Sequence, residues 1–211
     1  MPHTYEDLFE NNRRWVARRT AEDPQHFERL AAGQSPDFLF IGCSDSRVDA
    51  SEMTGTRTGE MFIHRNIANL VPSFQPDGGL HGTSAAVEYA VNGLKVAHIV
   101  VLGHSQCGGV KGCYDMCSGR APELDEATSF VGRWMDILRP GFEALPSGGD
   151  AERIQALEKE AVMVSIGNLM TFPFVRQAVE DGRLTLHGLW HDIGEGTLEA
   201  WDEGRREFLA V

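Results

Sequence analysis

Residues 79–110 read GLHGTSAAVEYAVNGLKVAHIVVLGHSQCGGV, and two periodicities meet inside them. Ala86, Val87, Ala90, Val91 and Leu94 recur at helical spacing, whereas 96–102 is short and apolar but for His98, as a strand covered on both faces is. Upstream, 38–41 repeats the buried-strand signature, 60–64 is a weaker third strand, and 48–53 is a short helical stretch. Such alternation implies crossover connections, because only these join parallel neighbours. The expected fold is therefore α/β, a mostly parallel central sheet with flanking helices. Further helices are predicted at 123–138, 150–168 and 173–181, with Pro140, Pro146 and Pro173 punctuating the gaps. Strands at 184–192 and 196–201 flank Gly194-Glu195-Gly196 as a C-terminal hairpin extending one edge.

Ahead of this pattern, 4–32 reads as two helices. Thr4 with Asp7 caps the first; Asp23 and Pro24 open the second, which Gly33 closes. Leu8, Trp15 and Val16 are too few for a full core stripe, so residues 1–32 are expected to form a helical arm, lying either on a neighbouring subunit or on its own domain. Residues 33–211 are expected to form one α/β domain.

The 211 residues carry 19 Lys and Arg against 31 Asp and Glu, a net charge of −12 that repels polyanions, so no nucleic-acid partner is expected. No uncharged run approaches the roughly 18 apolar residues of a membrane span, and 1–15 lacks the apolar core of a signal peptide. A cytoplasmic protein is expected. Four cysteines are too few for a disulfide scaffold and point instead to thiols or metal ligands.

Two of these cysteines follow the predicted buried strands, in GCSDSRVDA (42–50) and LGHSQCGGV (102–110). In an open parallel sheet, ligands bind outside the carboxyl ends of strands, so distant motifs can meet there. Cys43, His104 and Cys107 offer two thiolates and an imidazole, a set suited to zinc with a fourth position open. Cys113 and Cys117 are rival ligands, but their spacing of four on a helix also fits two packed thiols, the preferred reading. An extended chain past Cys43 would project residues 43, 45 and 47 to one side, setting an Asp45–Arg47 pair beside the metal.

CSDSRV, GEMFIHRNIAN (59–69) and GHSQCGG (103–109) together strongly resemble the β-class carbonic anhydrases. GQSP (33–36), SAAVEYAV (84–91) and HGLWHDIGEGTLEAWD (187–202) are most similar to their plant-like branch. The resemblance implies Zn2+ held by Cys43, His104 and Cys107, and reversible hydration of carbon dioxide to bicarbonate by zinc-bound hydroxide aligned by an Asp45–Arg47 dyad. It implies a carbon dioxide pocket, partly across a dimer interface, made by Gln34, Phe62, Ile67 and Tyr89 with the Gly108 amide. It also implies a homodimer or dimer of dimers, its N-terminal helices reaching the partner. Hydrolysis of carbonyl sulfide or carbon disulfide is a rival reaction. A non-catalytic zinc or thiol sensor is a rival of another class, and it leaves Asp45 and Arg47 without a task.

One branch of the family closes its site when the aspartate becomes the fourth zinc ligand, with bicarbonate held by a tryptophan, an arginine and a tyrosine. Here Phe40 and His191 replace the aromatic pair and leave Arg65 without those partners, so an open site is expected, with Asp45 paired to Arg47. His191 is a candidate acid sensor if it lies near Arg65.

Overall fold

The structure, a computed structural model, describes residues 4–211; the first three residues of the expected arm lie outside the described residues. The chain forms two compact units, one reaching to Ser35 and the other Pro36–Val211.

The first unit holds α1 (Tyr5–Glu22) and α2 (His26–Ala31). α1 starts where predicted: the Thr4 N–H donates to Asp7 Oδ2 (2.7 Å) and the Asp7 N–H to Thr4 Oγ1 (3.3 Å), a reciprocal cap. α2 starts two residues beyond Pro24 with no side-chain cap, because Asp23 accepts from the Gln25 N–H instead. Neither helix contains a buried residue, and Tyr5, Leu8 and Phe9 stand exposed.

In the second unit, β1 (Phe38–Cys43), β2 (Met61–Asn66), β3 (His98–His104), β4 (Thr185–His191), β5 (Leu198–Asp202) and β6 (Glu207–Ala210) form one sheet of order β2-β1-β3-β4-β5-β6. The first four are parallel and the last two antiparallel. Leu39 and Ile41 of β1 pack with Ile99 and Val101 of β3 into the larger core, while Phe40, Val100 and Leu102 face a smaller cluster with Val48 and Ala50. Both faces of the central strands are thus covered, which is why these segments lack polar alternation.

Helices α3 (Ala50–Thr54), α4 (Gly82–Glu88), α5 (Gly108–Cys117), α6 (Phe130–Met135), α7 (Arg139–Glu143), α8 (Asp150–Leu169) and α9 (Pro173–Glu180) complete the unit. α4 continues as a wider π-helical turn, Tyr89–Leu94, ended by Lys95 at φ 59°. The single helix expected over 123–138 is instead broken into 3-10 turns around α6: the Ser129 hydroxyl accepts the Gly132 N–H (3.0 Å) and restarts the helix, and Pro140 opens α7 where a gap was expected. β6, only four residues long, was not anticipated.

Gly103 of β3 lets α8 approach the sheet beside His104. A Cβ there would lie 2.6 Å from Val162 Cγ2 and 3.1 Å from the Glu158 carbonyl oxygen. Gly103→Ala is expected to destabilise the protein by about 1–3 kcal/mol through overpacking, read as a lowered urea midpoint; an unchanged midpoint would mean that α8 yields freely.

Candidate metal centre

Cys43 ends β1, His104 ends β3, and Cys107 follows after a two-residue turn, so parallel neighbours deliver all three to one end of the sheet. All are buried, and their ligand atoms lie within 4.8 Å of one another, the one such group among the described residues. The two sulfurs are 3.9 Å apart. Tetrahedral zinc with bonds of about 2.3 Å needs sulfurs about 3.8 Å apart, so the pair fits the ion. His104 Nδ1 donates to the Ser105 carbonyl (2.9 Å), leaving Nε2 as the acceptor nitrogen, buried and without a hydrogen-bond partner. An imidazole acceptor nitrogen beside two thiols is a donor set that fits a borderline-soft cation such as zinc. The Cys107 thiol donates toward Cys43, which lowers Cys43 to about 4 and pushes Cys107 up.

Cys113 and Cys117 lie outside this group. They sit on α5 with sulfurs 4.0 Å apart, and Cys113 donates to the Met135 carbonyl. Burial pushes both thiols up.

The chain does not stay extended past Cys43; this expectation is corrected. Asp45 heads a turn in which its Oδ1 accepts the Arg47 N–H (3.0 Å) and its carbonyl accepts the Val48 N–H (3.1 Å). The turn folds Arg47 back, so that Nε and Nη2 grip the two carboxylate oxygens at 2.9 and 2.7 Å. The guanidinium holds Asp45 well below the usual carboxylate range. Arg47 also donates to the Gln106 carbonyl (3.1 Å), tying the pair to the His104–Cys107 turn.

Without that aromatic pair, Arg65 bonds the backbone instead. Its Nε donates to the Cys43 carbonyl (2.8 Å) and its Nη2 to the Asp45 carbonyl (2.6 Å), fixing the backbone that carries ligand and carboxylate. His191 is not beside it. β1 and β3 separate their strands by roughly 14 Å, at about 4.8 Å per strand, and the His191 ring donates to the Thr197 carbonyl (3.1 Å). Phe40 is buried in the smaller core cluster.

The expected pocket residues divide. Ile67 follows Asn66, the register partner of Cys43, and packs on Gly109 beside Gly108. Ile67 and Ser44 open onto a cavity of about 590 Å3 whose rim carries the exposed Leu80 and Phe130. Phe62 and Tyr89 pair with each other, ring centroids 5.7 Å apart, with Tyr89 exposed. Phe62 lies four residues back along β2 from Asn66, roughly 13 Å at about 3.3 Å per residue. Gln34 is exposed in the first unit. A single chain therefore does not gather Ile67 with Phe62 and Tyr89.

Sequence reasoning missed Glu158, whose buried carboxylate accepts the Cys107 N–H (3.1 Å). A signal existed: Glu158 shares helical spacing with Ala161, Val162 and Ser165, which places a carboxylate on the apolar face of a predicted helix.

The carbonic anhydrase family model matches residues 38–198. A carbonic anhydrase of Emericella nidulans is 37% identical over 201 residues, 94% of this chain and 84% of that protein. Beta carbonic anhydrase 3 of Arabidopsis thaliana is 38% identical over 186 residues, 86% and 70% of the two chains. Among solved structures, the β-carbonic anhydrase CcaA superposes with a TM-score of 0.84 at 30% identity, covering 98% of both chains. A tetrameric β-carbonic anhydrase of Sordaria macrospora gives 0.77 at 32% identity, covering 93% and 95%. With the family matched across the sheet and both motif arms, and a cysteine–histidine–cysteine cluster at the strand ends, the chain belongs to the β-carbonic anhydrases, zinc enzymes that interconvert carbon dioxide and bicarbonate.

Proposed function

We propose that this chain hydrates carbon dioxide reversibly, with Cys43, His104 and Cys107 as the zinc ligands and Asp45–Arg47 as the catalytic dyad. The observation that carries the reading is the orphaned His104 Nε2 beside two sulfurs, one turn from a bidentate carboxylate–guanidinium pair. Zinc, when bound, supplies the Lewis acidity that makes water nucleophilic near neutral pH. Asp45, kept ionised by Arg47, accepts a hydrogen bond from that nucleophile and fixes its direction. Ile67, Phe62 and Tyr89 offer carbon dioxide an apolar slot, and Gln34 and the Gly108 N–H donate to its oxygens. Water contributes oxygen to the product, and one proton passes to buffer. We assign the site to the open type, with Asp45 on Arg47 rather than on the metal. Stopped-flow carbon dioxide hydration, abolished by a chelator and restored by zinc, tests the reading.

The separation of Phe62 and Tyr89 from Ile67 supports a pocket shared between two copies. The Phe62–Tyr89 pair of one protomer enters the cavity beside Ile67 of its partner, covering the Leu80 and Phe130 rim, and residues 1–32 serve as a dimer arm. A dimer or dimer of dimers is the proposed assembly. Its signature is complementation: inactive Asp45→Asn chains mixed with inactive Tyr89→Ala chains regain about a quarter of parental activity, since half the dimers form with one intact site each. Absence of recovery despite subunit exchange would put the whole pocket within one chain. No described helix is long and apolar enough to cross a membrane, and four free cysteines favour a reducing compartment; the cytoplasm is the proposed location.

A further inference from the structure

The turn from His104 to Cys107 must deliver an imidazole and a thiol to one point, and it does so with Gln106 in the left-handed region at φ 57°. A non-glycine residue holds that conformation only where its surroundings over-determine it. They do so here. The Ser105 N–H donates to the His191 carbonyl (2.8 Å), the Gln106 carbonyl accepts from Arg47, and the Cys107 carbonyl accepts the Lys111 N–H (2.9 Å) as α5 begins. One group remains. The Cys107 N–H precedes the helix and has no partner within it, and it is buried away from water. Its acceptor is Glu158 Oε1, reaching from the middle of the twenty-residue α8.

We infer that Glu158 is a positioning residue for the Cys107 ligand, acting as the fixed hydrogen-bond acceptor of the Cys107 backbone N–H. This rests on Cys107 being a zinc ligand, as proposed above. Glu158 is 3% exposed, on a helix face otherwise made of Leu157, Ala161, Val162 and Ser165. Methionine or leucine would fill that space without desolvating a carboxyl group. Among the described residues Glu158 forms no ion pair, and Lys159, next in sequence, is engaged with Glu199 (2.5 Å). The acceptor satisfies the buried Cys107 N–H, and it anchors the ligand to a helix packed along the sheet rather than to a loop. Glu158 bonds the ligand's main chain, so it acts through Cys107 and touches neither ion nor substrate.

The test compares Glu158→Gln, which keeps an acceptor oxygen, with Glu158→Met, which keeps the volume and loses it. Zinc release from each holoenzyme into a chromogenic chelator is timed, and the cobalt-substituted proteins are examined for their thiolate charge-transfer band. Glu158→Met is expected to release zinc about 10–100-fold faster and to shift the band, with Glu158→Gln near the parent in both. Glu160→Met, a control on the same helix away from the turn, is expected to match the parent. Parental release rate and spectrum in Glu158→Met would overturn the inference, as would equal damage in the Gln and Met variants. Should Glu158→Met fail to fold, hydrogen exchange on the unmodified holoenzyme decides: a slowly exchanging Cys107 amide is expected, and an unprotected one refutes the bond. If Cys107→Ser itself retained stoichiometric zinc, the ligand assignment would fail first, independently of these comparisons.

Discussion

Cys107→Ser is expected to purify without stoichiometric zinc and without carbon dioxide hydration, while the double variant Cys113→Ala, Cys117→Ala keeps both. Serine oxygen is a hard and poorly acidic substitute for a thiolate, and with three protein ligands the loss of one leaves only Cys43 and His104. The remaining pair also lacks the two-sulfur geometry, 3.9 Å across, that fits the ion. Cys113 and Cys117 are the same element in the same chain, yet they lie on α5 with sulfurs directed at each other and at the Met135 carbonyl. Removing them costs packing, not ligation. Metal analysis of the two variants, with folding confirmed by circular dichroism, separates the cases; zinc retained in Cys107→Ser and lost in the double variant would reverse the assignment.

What was legible in the sequence was what depends on neighbours in the chain. The runs at 38–41 and 96–102 announce strands buried on both faces, and that burial is what the cores around Leu39, Ile41 and Phe40, Val100 provide. Thr4 and Asp7 close a cap because both partners sit within four residues. The His104–Cys107 spacing is likewise local, and the strand-end rule together with the family resemblance brought Cys43 to it. Contacts that cross the fold were opaque. Nothing near Arg65 marks it as the clamp on the Cys43 and Asp45 carbonyls, and nothing near Glu158 names the Cys107 N–H as its target. The turn at Asp45 was misread because CSDSR carries no glycine or proline; the aspartate side chain makes the turn by capping the Arg47 N–H. The breaks around α6 escaped for a similar reason, since Ser129 reads as an ordinary helix residue until its hydroxyl captures the Gly132 N–H.

Asp45→Asn is expected to bind zinc as the parent does and to lose roughly 10²–10⁴-fold in carbon dioxide hydration, the range a positioned proton-handling group contributes. The carboxylate is not among the three clustered ligands, so metal content should not follow it. Asparagine nearly preserves shape, but it presents one acceptor oxygen where Arg47 meets two, and it removes the charge proposed to orient the nucleophile. The pH dependence supplies a second check with a definite sign. Arg47 holds the Asp45 carboxyl far below the usual range, so the ion pair is fully formed above the ordinary carboxylate value of about 3.9 and is lost only as pH falls through the depressed one. Asp45 therefore stays ionised across the working range, and the loss in Asp45→Asn should be constant between pH 6 and 9 rather than vanishing at either end. Arg47→Ala separates orientation from ligation. Without the guanidinium, Asp45 is free to turn onto the metal, and the cobalt-substituted variant should display the spectrum of a fourth protein ligand. Parental turnover in Asp45→Asn would reduce the pair to a structural bridge between the Cys43 turn and the Gln106 carbonyl, and the dyad mechanism would fall with it.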